Sequence, residues 1–221
     1  MGYWQDSVFL CYVFAQRTVA GAKINWHDPG TYNAIDSTNT AFTQYSYFDG
    51  NGTNNHLYTG WIPYNDTTIV GKNRVSVGAW VLDEVAANYQ VLGVIGSVSG
   101  RALSLAPQTG SDYLGAYLNS SSGSNFGDPA STVGWILATR SSEATQEAYI
   151  NGTILGTATI SSSSTVPQVR DLHLLGRNNN GTPDQLFDGK VSIIMVTSKQ
   201  SATTQRKIYN ILHRFTTRMG L

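Results

Sequence analysis

The chain has 221 residues with 14 basic and 14 acidic side chains, so its formal net charge is zero. Only 13% of residues are charged, about half the usual share, and no basic block appears; electrostatic capture of nucleic acid or anionic lipid is excluded as a main activity. No apolar run approaches the roughly 20 residues of a membrane span, and one cysteine, Cys11, leaves no internal disulfide framework.

The N-terminal residues Met1 to Val8 show neither a basic segment followed by an apolar one nor a myristoylation pattern, because Asp6 stands where Ser or Thr is needed. Residues 7–14 are rich in aromatic and β-branched side chains and read as a buried strand, with Cys11 as a small buried hydrophobe. Residues 15–44 read as irregular. A strand at 45–48 ends in Asp49-Gly-Asn-Gly, a strong turn signal. A short strand at 56–61 follows. Residues 74–81 alternate, with Val75, Val77, Ala79 and Val81 on one face and Ser76, Gly78 and Trp80 on the other. Bulky apolar residues on both faces predict a strand covered on both sides. Strands at 89–95, 102–106 and 113–118 recur at the spacing of a sandwich or barrel.

Residues 119–132 read as a Ser/Gly loop, 133–140 and 145–150 as a hairpin pair, and Asn151-Gly152 as the turn into 154–160. The serines at 161–164 read as a loop inside one domain. Apolar strands at 172–175 and 191–196 flank a long Asn/Gly loop. Only residues 202–216 read as helix. Ser201 is its N-cap, and Ile208, Ile211, Leu212 and Phe215 recur at i, i+3, i+4 and i+7. This helix is expected on the sandwich surface, covering one edge. The whole chain, residues 1–221, reads as a single all-β domain: a two-sheet antiparallel jelly-roll sandwich with one C-terminal surface helix.

Three segments resemble the concanavalin A-like lectin/glucanase superfamily in its laminin-G-like branch. They are Tyr47-Phe-Asp-Gly-Asn-Gly, Glu147-Ala-Tyr-Ile-Asn-Gly-Thr and Phe187-Asp-Gly-Lys-Val before the terminal helix. A closer resemblance is to lectin-like domains of bacteriophage tail and other virion proteins. It is carried by the order of Gly50-Asn-Gly-Thr-Asn, Ala138-Thr-Arg-Ser-Ser, Leu175-Gly-Arg-Asn-Asn-Asn-Gly-Thr-Pro and Phe215-Thr-Thr-Arg-Met-Gly. It extends from about Trp4 to Gly220. The resemblance implies a sandwich of two antiparallel sheets on a virion, in a tail, baseplate or capsid fibre. Host-surface glycan and other virion proteins are the implied partners, in a homo-oligomeric assembly without nucleic acid or membrane insertion. A purely structural decoration or assembly module is the alternative.

The superfamily also holds glycoside hydrolases, which typically carry Glu-x-Asp-x-x-Glu on one strand. Glu84, Glu143 and Glu147 do not fit that motif. Glu143 and Glu147 would lie about 13 Å apart along a strand, whereas retaining and inverting chemistry need about 5–5.5 Å and about 6.5–9.5 Å. The expectation is therefore no enzyme and no catalytic residues. His27, His56, His173 and His213 lack metal-ligand spacing. No cofactor is required. Calcium is the one ion that lectin-like sandwiches often hold at loop edges, with Asp49, Asp66, Asp128, Asp184 and Asp188 as oxygen donors, although no Asp-x-Asp run supplies the six to eight oxygens needed. Glycan binding needs an aromatic platform beside amide hydrogen-bonders. Trp61, Tyr64 and Asn65 form one candidate rim, and Arg177, Asn178 and Asn179 another. Trp80 and Trp135 lie in apolar strands and read as core.

Overall fold

The computed structural model describes residues 7–65, 70–71, 73–85, 88–96, 102–160 and 169–221. The reading of the first six residues, the calcium candidate Asp66 and the serine loop at 161–164 lie outside them. In chain order the elements are β1 (Val8–Val13), α1 (Val19–Ala22), β2 (Ile35–Asp36), β3 (Ala41–Thr43), β4 (Tyr47–Asn51) and β5 (Leu57–Tyr58). After a 3-10 turn at Pro63–Asn65 come β6 (Ser76–Val81), β7 (Leu92–Ile95), β8 (Ala102–Ala106), β9 (Leu114–Leu118) and β10 (Ser124–Phe126). Then follow β11 (Gly134–Arg140), β12 (Thr145–Ile150), β13 (Thr153–Thr159), β14 (His173–Leu174), β15 (Arg177–Asn179), β16 (Thr182–Asp184), β17 (Asp188–Thr197) and α2 (Ala202–Met219).

Among the described residues these strands form two sheets. The first, eight-stranded, runs β13-β12-β11-β6-β17-β4-β3, with β1 also on β17. The second, nine-stranded, runs β10-β9-β8-β7-β14-β5-β2 and carries the β15–β16 hairpin. Pairing between strands is antiparallel except where β15 lies parallel to β7.

Alternation decides which side chains face the core. From the first sheet Val77, Ala79, Ile136, Ala138, Ala148 and Val196 point inward; from the second, Leu92, Val94, Leu103, Leu105, Leu114 and Leu118 meet them. A bulge between Val191 and Ile193 resets the period of β17. Val191 and Ile194 therefore share the inner face, while Ile193 and Met195 turn outward.

The outer face of the first sheet is apolar because a helix lies on it. Trp80, Trp135, Leu137, Tyr149, Ile193 and Met195 pack against Ile208, Tyr209, Leu212 and Phe215 of α2. The rings of Trp80, Tyr209 and His213 stack within 11° of parallel. Cys11 is part of this second cluster; burial pushes its thiol up to about 12, which keeps it protonated and unreactive. Among the described residues, no helix is long and apolar enough to cross a membrane.

Ser201 caps α2 as the sequence predicts, its hydroxyl accepting from the Thr204 N–H at 3.2 Å. The helix runs beyond 216 and stops at Gly220, whose φ of 76° is the left-handed conformation that closes helix ends. The helix does not cover an edge; it covers the middle of a sheet, because the apolar stripe it must match lies on central strands. Ile211 departs from the predicted stripe and is 65% exposed. Three predicted loops contain structure. Residues 119–132 hold β10, the Asn/Gly loop holds β15 and β16, and 15–44 hold α1, β2 and β3. Polar strands at a sheet margin lack the apolar alternation by which strands are recognised.

Candidate functional site

Among the described residues, no helix covers the outer face of the second sheet. Register aligns Tyr58, His173, Gly93, Ser104 and Tyr117 in one row across it. Ala106, Gly115 and Asn125 form the next row. The small residues at the centre of these rows leave a trough of about 300 Å³. Its lining includes Asn88, Gln90, Ser104, Thr109, Tyr117, Asn125, Arg177 and Gln185.

Two glycines shape it. A Cβ at Gly93 would lie 2.9 Å from the Ser104 Cβ and 3.0 Å from the Arg177 Cγ. The bare backbone there lets the arginine stem lie flat on the sheet. A Cβ at Gly115 would lie 2.5 Å from the Thr109 methyl group, so glycine lets the threonine close over the floor.

The polarity of the trough is unusual for a sheet surface. Gln90 Oε1, Ser104 Oγ, Thr109 Oγ1 and Gln185 Oε1 are buried atoms without a hydrogen-bond partner among the described residues. Ser104 is 1% and Gln90 7% exposed. Each such atom left unpaired costs about 1–3 kcal/mol, a cost that a ligand rich in hydroxyl groups would relieve. Arg177 is the one charged residue lining the trough among those described. Its Nε and Nη2 each donate to Asp184 at 2.8 Å, and Asn179 Nδ2 donates to the same carboxylate at 2.9 Å.

The sequence-predicted candidates divide. Arg177 lines the trough. Asn179 is exposed and reaches it only through Asp184. Asn178 is 1% exposed; its amide donates to the Asp171 carbonyl and carboxylate, and its oxygen accepts from the Gly181 N–H at 2.7 Å. It ties the β15–β16 turn to the preceding segment. Trp61 is a correction: it is 0% exposed and its ring packs 4.8 Å from that of Phe9. It presents no face to solvent because residues 57–61 run into the core rather than along a rim. Tyr64 and Asn65 are exposed on the 3-10 turn, and neither lines the trough. The trough residues missed by the sequence reading stand on β8, β9 and β10 and on separate loops. Their one sequence signal is the outward position of Ser104 between Leu103 and Leu105.

The calcium candidates are not gathered: no group of three or more His, Cys, Asp or Glu side chains is placed to hold a metal among the described residues. Asp184 is held by Arg177. Near Asp49 and Asp188, Lys190 pairs with Asp83 at 2.6 Å. Burial, with Asp83 and Asp188 adding, raises the Asp49 carboxyl despite Lys190.

Beyond Gly93 the same outer face carries a ring cluster. Tyr58 meets His56 and His173 edge-on at 4.7 and 4.6 Å, and the two imidazoles stack at 5.2 Å. Burial lowers the His56 pKa, although its Nδ1 contacts the Asn54 carbonyl at 2.9 Å. The unfolded chain takes up this proton near its ordinary value of about 6.5, the folded chain only below it. The stability owed to neutral His56 is thus complete above that value and falls as pH drops through it. Between about pH 7.5 and 5.5 the urea midpoint is expected to fall, and His56→Gln should flatten that fall. An equal fall in the variant would assign the effect to another group.

No family model and no curated protein matches the chain. Solved structures do share its fold. The binding domain of botulinum neurotoxin serotype D aligns with a TM-score of 0.61 at 14% identity, over 93% of this chain and 52% of that one. Domain 4 of AbnA, a GH43 extracellular arabinanase from Geobacillus stearothermophilus solved with arabinotriose, aligns with a TM-score of 0.60 at 14% identity, over 92% of this chain and 99% of that one. A Trypanosoma rangeli sialidase in complex with the inhibitor DANA aligns with a TM-score of 0.55 at 14% identity, over 80% and 29%. The chain spans about half the length of the botulinum domain and nearly all of the arabinanase domain. The shared feature is the fold, a β-sandwich of two antiparallel sheets.

Proposed function

We propose that this protein is a non-catalytic carbohydrate-binding module, with the trough on the outer face of the second sheet as its site. The observation that carries this reading is the set of buried, unpaired oxygens at Gln90, Ser104, Thr109 and Gln185. Sugar hydroxyls both donate and accept, and so match them. Two similar folds were solved in a carbohydrate context. One is the arabinanase domain with arabinotriose. The other belongs to work on botulinum neurotoxin type C entry through two gangliosides, with a TM-score of 0.64, 14% identity and 96% of this chain and 53% of that one aligned. Binding without hydrolysis is favoured because no aspartate or glutamate lines the trough among the described residues. Glu84 is engaged by Ser131 and Thr132, and Glu147 accepts from the Tyr149 hydroxyl at 2.7 Å.

The finer reading is a bacteriophage virion adhesin, displayed on a tail, baseplate or fibre and directed at host-surface glycan. It draws on the motif order from Gly50 to Gly220. Homo-oligomeric display would supply avidity to a weak single site. The second reading, a structural virion module, is favoured by one observation. A cleft of about 510 Å³ between α2 and strands β1 and β17 is almost wholly apolar, with Ile211 exposed at it.

A glycan and bacterial polysaccharide array, probed with the multimerised protein with and without chelator, tests the proposal. Binding is expected, unchanged by chelator. Asn125→Trp, at an exposed position on the trough lining where a bulky ring obstructs it, should weaken it by about tenfold or more without lowering the melting temperature, while Tyr64→Ala should leave it intact. Silence across the array with folded protein would favour the structural module.

A further inference from the structure

We infer that the trough selects neutral glycans and rejects acidic ones, with Asp184 as the residue that sets this specificity; the inference rests on the carbohydrate-binding reading above. The charge of Arg177 is the starting point. An arginine fork is the side chain best suited to a ligand carboxylate or sulfate, and here it lines the polar trough. Yet the Nε–Nη2 edge of its fork is taken by Asp184 at 2.8 Å, and Asn179 holds the same carboxylate at 2.9 Å. An acidic sugar reaching the Nη1 side would meet a guanidinium already neutralised and would sit beside the negative charge of Asp184.

The unpaired atoms point the same way. Gln90 Oε1 and Gln185 Oε1 are acceptors only and require a donor from the ligand. Ionised carboxylates and sulfates donate nothing. A sugar hydroxyl donates to these oxygens and still accepts from the hydroxyls of Ser104 and Thr109. The apolar parts of the lining complete the match. The methylene stem of Arg177 lies over Gly93, and the ring of Tyr117 lines the trough beside Gly123. Both offer surface to the C–H face of a sugar ring without adding charge.

The test compares binding of neutral polysaccharides (arabinan, mannan, chitooligosaccharide) with acidic ones (polygalacturonate, polysialic acid). The native protein should prefer the neutral set by about tenfold or more, and its binding should barely change between about 0.05 and 0.5 M salt. Asp184→Asn leaves the Arg177 charge unmatched and should create salt-sensitive binding to the acidic set. Gln185→Lys, which adds a cation to the lining and leaves the Arg177–Asp184 pair in place, should do the same and covers the case in which Asp184→Asn does not fold. Acidic binding by the native protein as strong as neutral binding would overturn the inference and leave the carbohydrate-binding reading standing. Folded variants that gain nothing on the acidic set would overturn it as well. A folded native protein silent in both arms would overturn both readings together.

Discussion

Replacing Arg140 by alanine is expected to lower the unfolding free energy by about 3–4 kcal/mol. Arg140 ends β11 and is 0% exposed, yet among the described residues no carboxylate forms an ion pair with its guanidinium. Its partners are backbone carbonyls. Nη1 donates to Leu118 at 2.7 Å and to Asn119 at 3.0 Å, Nε to Ser142 at 3.1 Å, and Nη2 to Glu143. Leu118 closes β9 in the opposite sheet, while Ser142 and Glu143 form the turn into β12. One side chain therefore links the two sheets and a hairpin. Burial lowers the Arg140 pKa, and the nearby Glu143 charge works against that shift. Alanine would take the donor away from the buried carbonyls of Leu118 and Asn119. Urea denaturation should show a lower midpoint with unchanged slope. Lysine should recover only part of the loss, because an ammonium has no planar fork. An unfolding free energy for the alanine variant within about 0.5 kcal/mol of the native protein would mean that water serves these carbonyls.

Trp61→Ala is expected to cost about 3–5 kcal/mol, the usual range for emptying a fully buried aromatic site. Trp61 packs on Phe9 and belongs to the main core. Its backbone N–H donates to the Thr59 hydroxyl and its carbonyl accepts from the Leu172 N–H. The variant should lose melting temperature first, and any loss of glycan binding should track the unfolded fraction. Native stability with selectively lost binding would return Trp61 to a ligand-contacting role.

The difference between these residues and the trough shows what a single sequence carries. The terminal helix was legible because its cap and its apolar spacing lie close together between Ser201 and Phe215, while its stop at Gly220 was not read and the predicted end fell short at 216. The sandwich was legible because most of its strands alternate and are set apart by turn residues. Trp61 was not legible as core. An isolated aromatic between Gly60 and Pro63 looks the same whether its loop dips inward or stands out. Of the trough only Arg177 was named from the sequence, since the rest is made by outward-facing small residues on β7, β8 and β9 that local spacing does not bring together. Only the strand order, which places β15 beside β7, brings Arg177 over Gly93. That order is a long-range property, and local spacing does not encode it.

Strand β17 has a consequence for how the chain assembles. It pairs with β6 along one side and with β1 and β4 along the other. It is the last strand in chain order, yet it occupies the middle of its sheet. During synthesis β1, β4 and β6 emerge long before the strand that joins them, and their apolar edges must wait for it. Such distant pairing makes for slow folding and exposes the waiting intermediate to aggregation. A nascent chain stalled before residue 188 would hold half a sandwich open, and completion of the first sheet would coincide with the arrival of β17 and the helix that covers it.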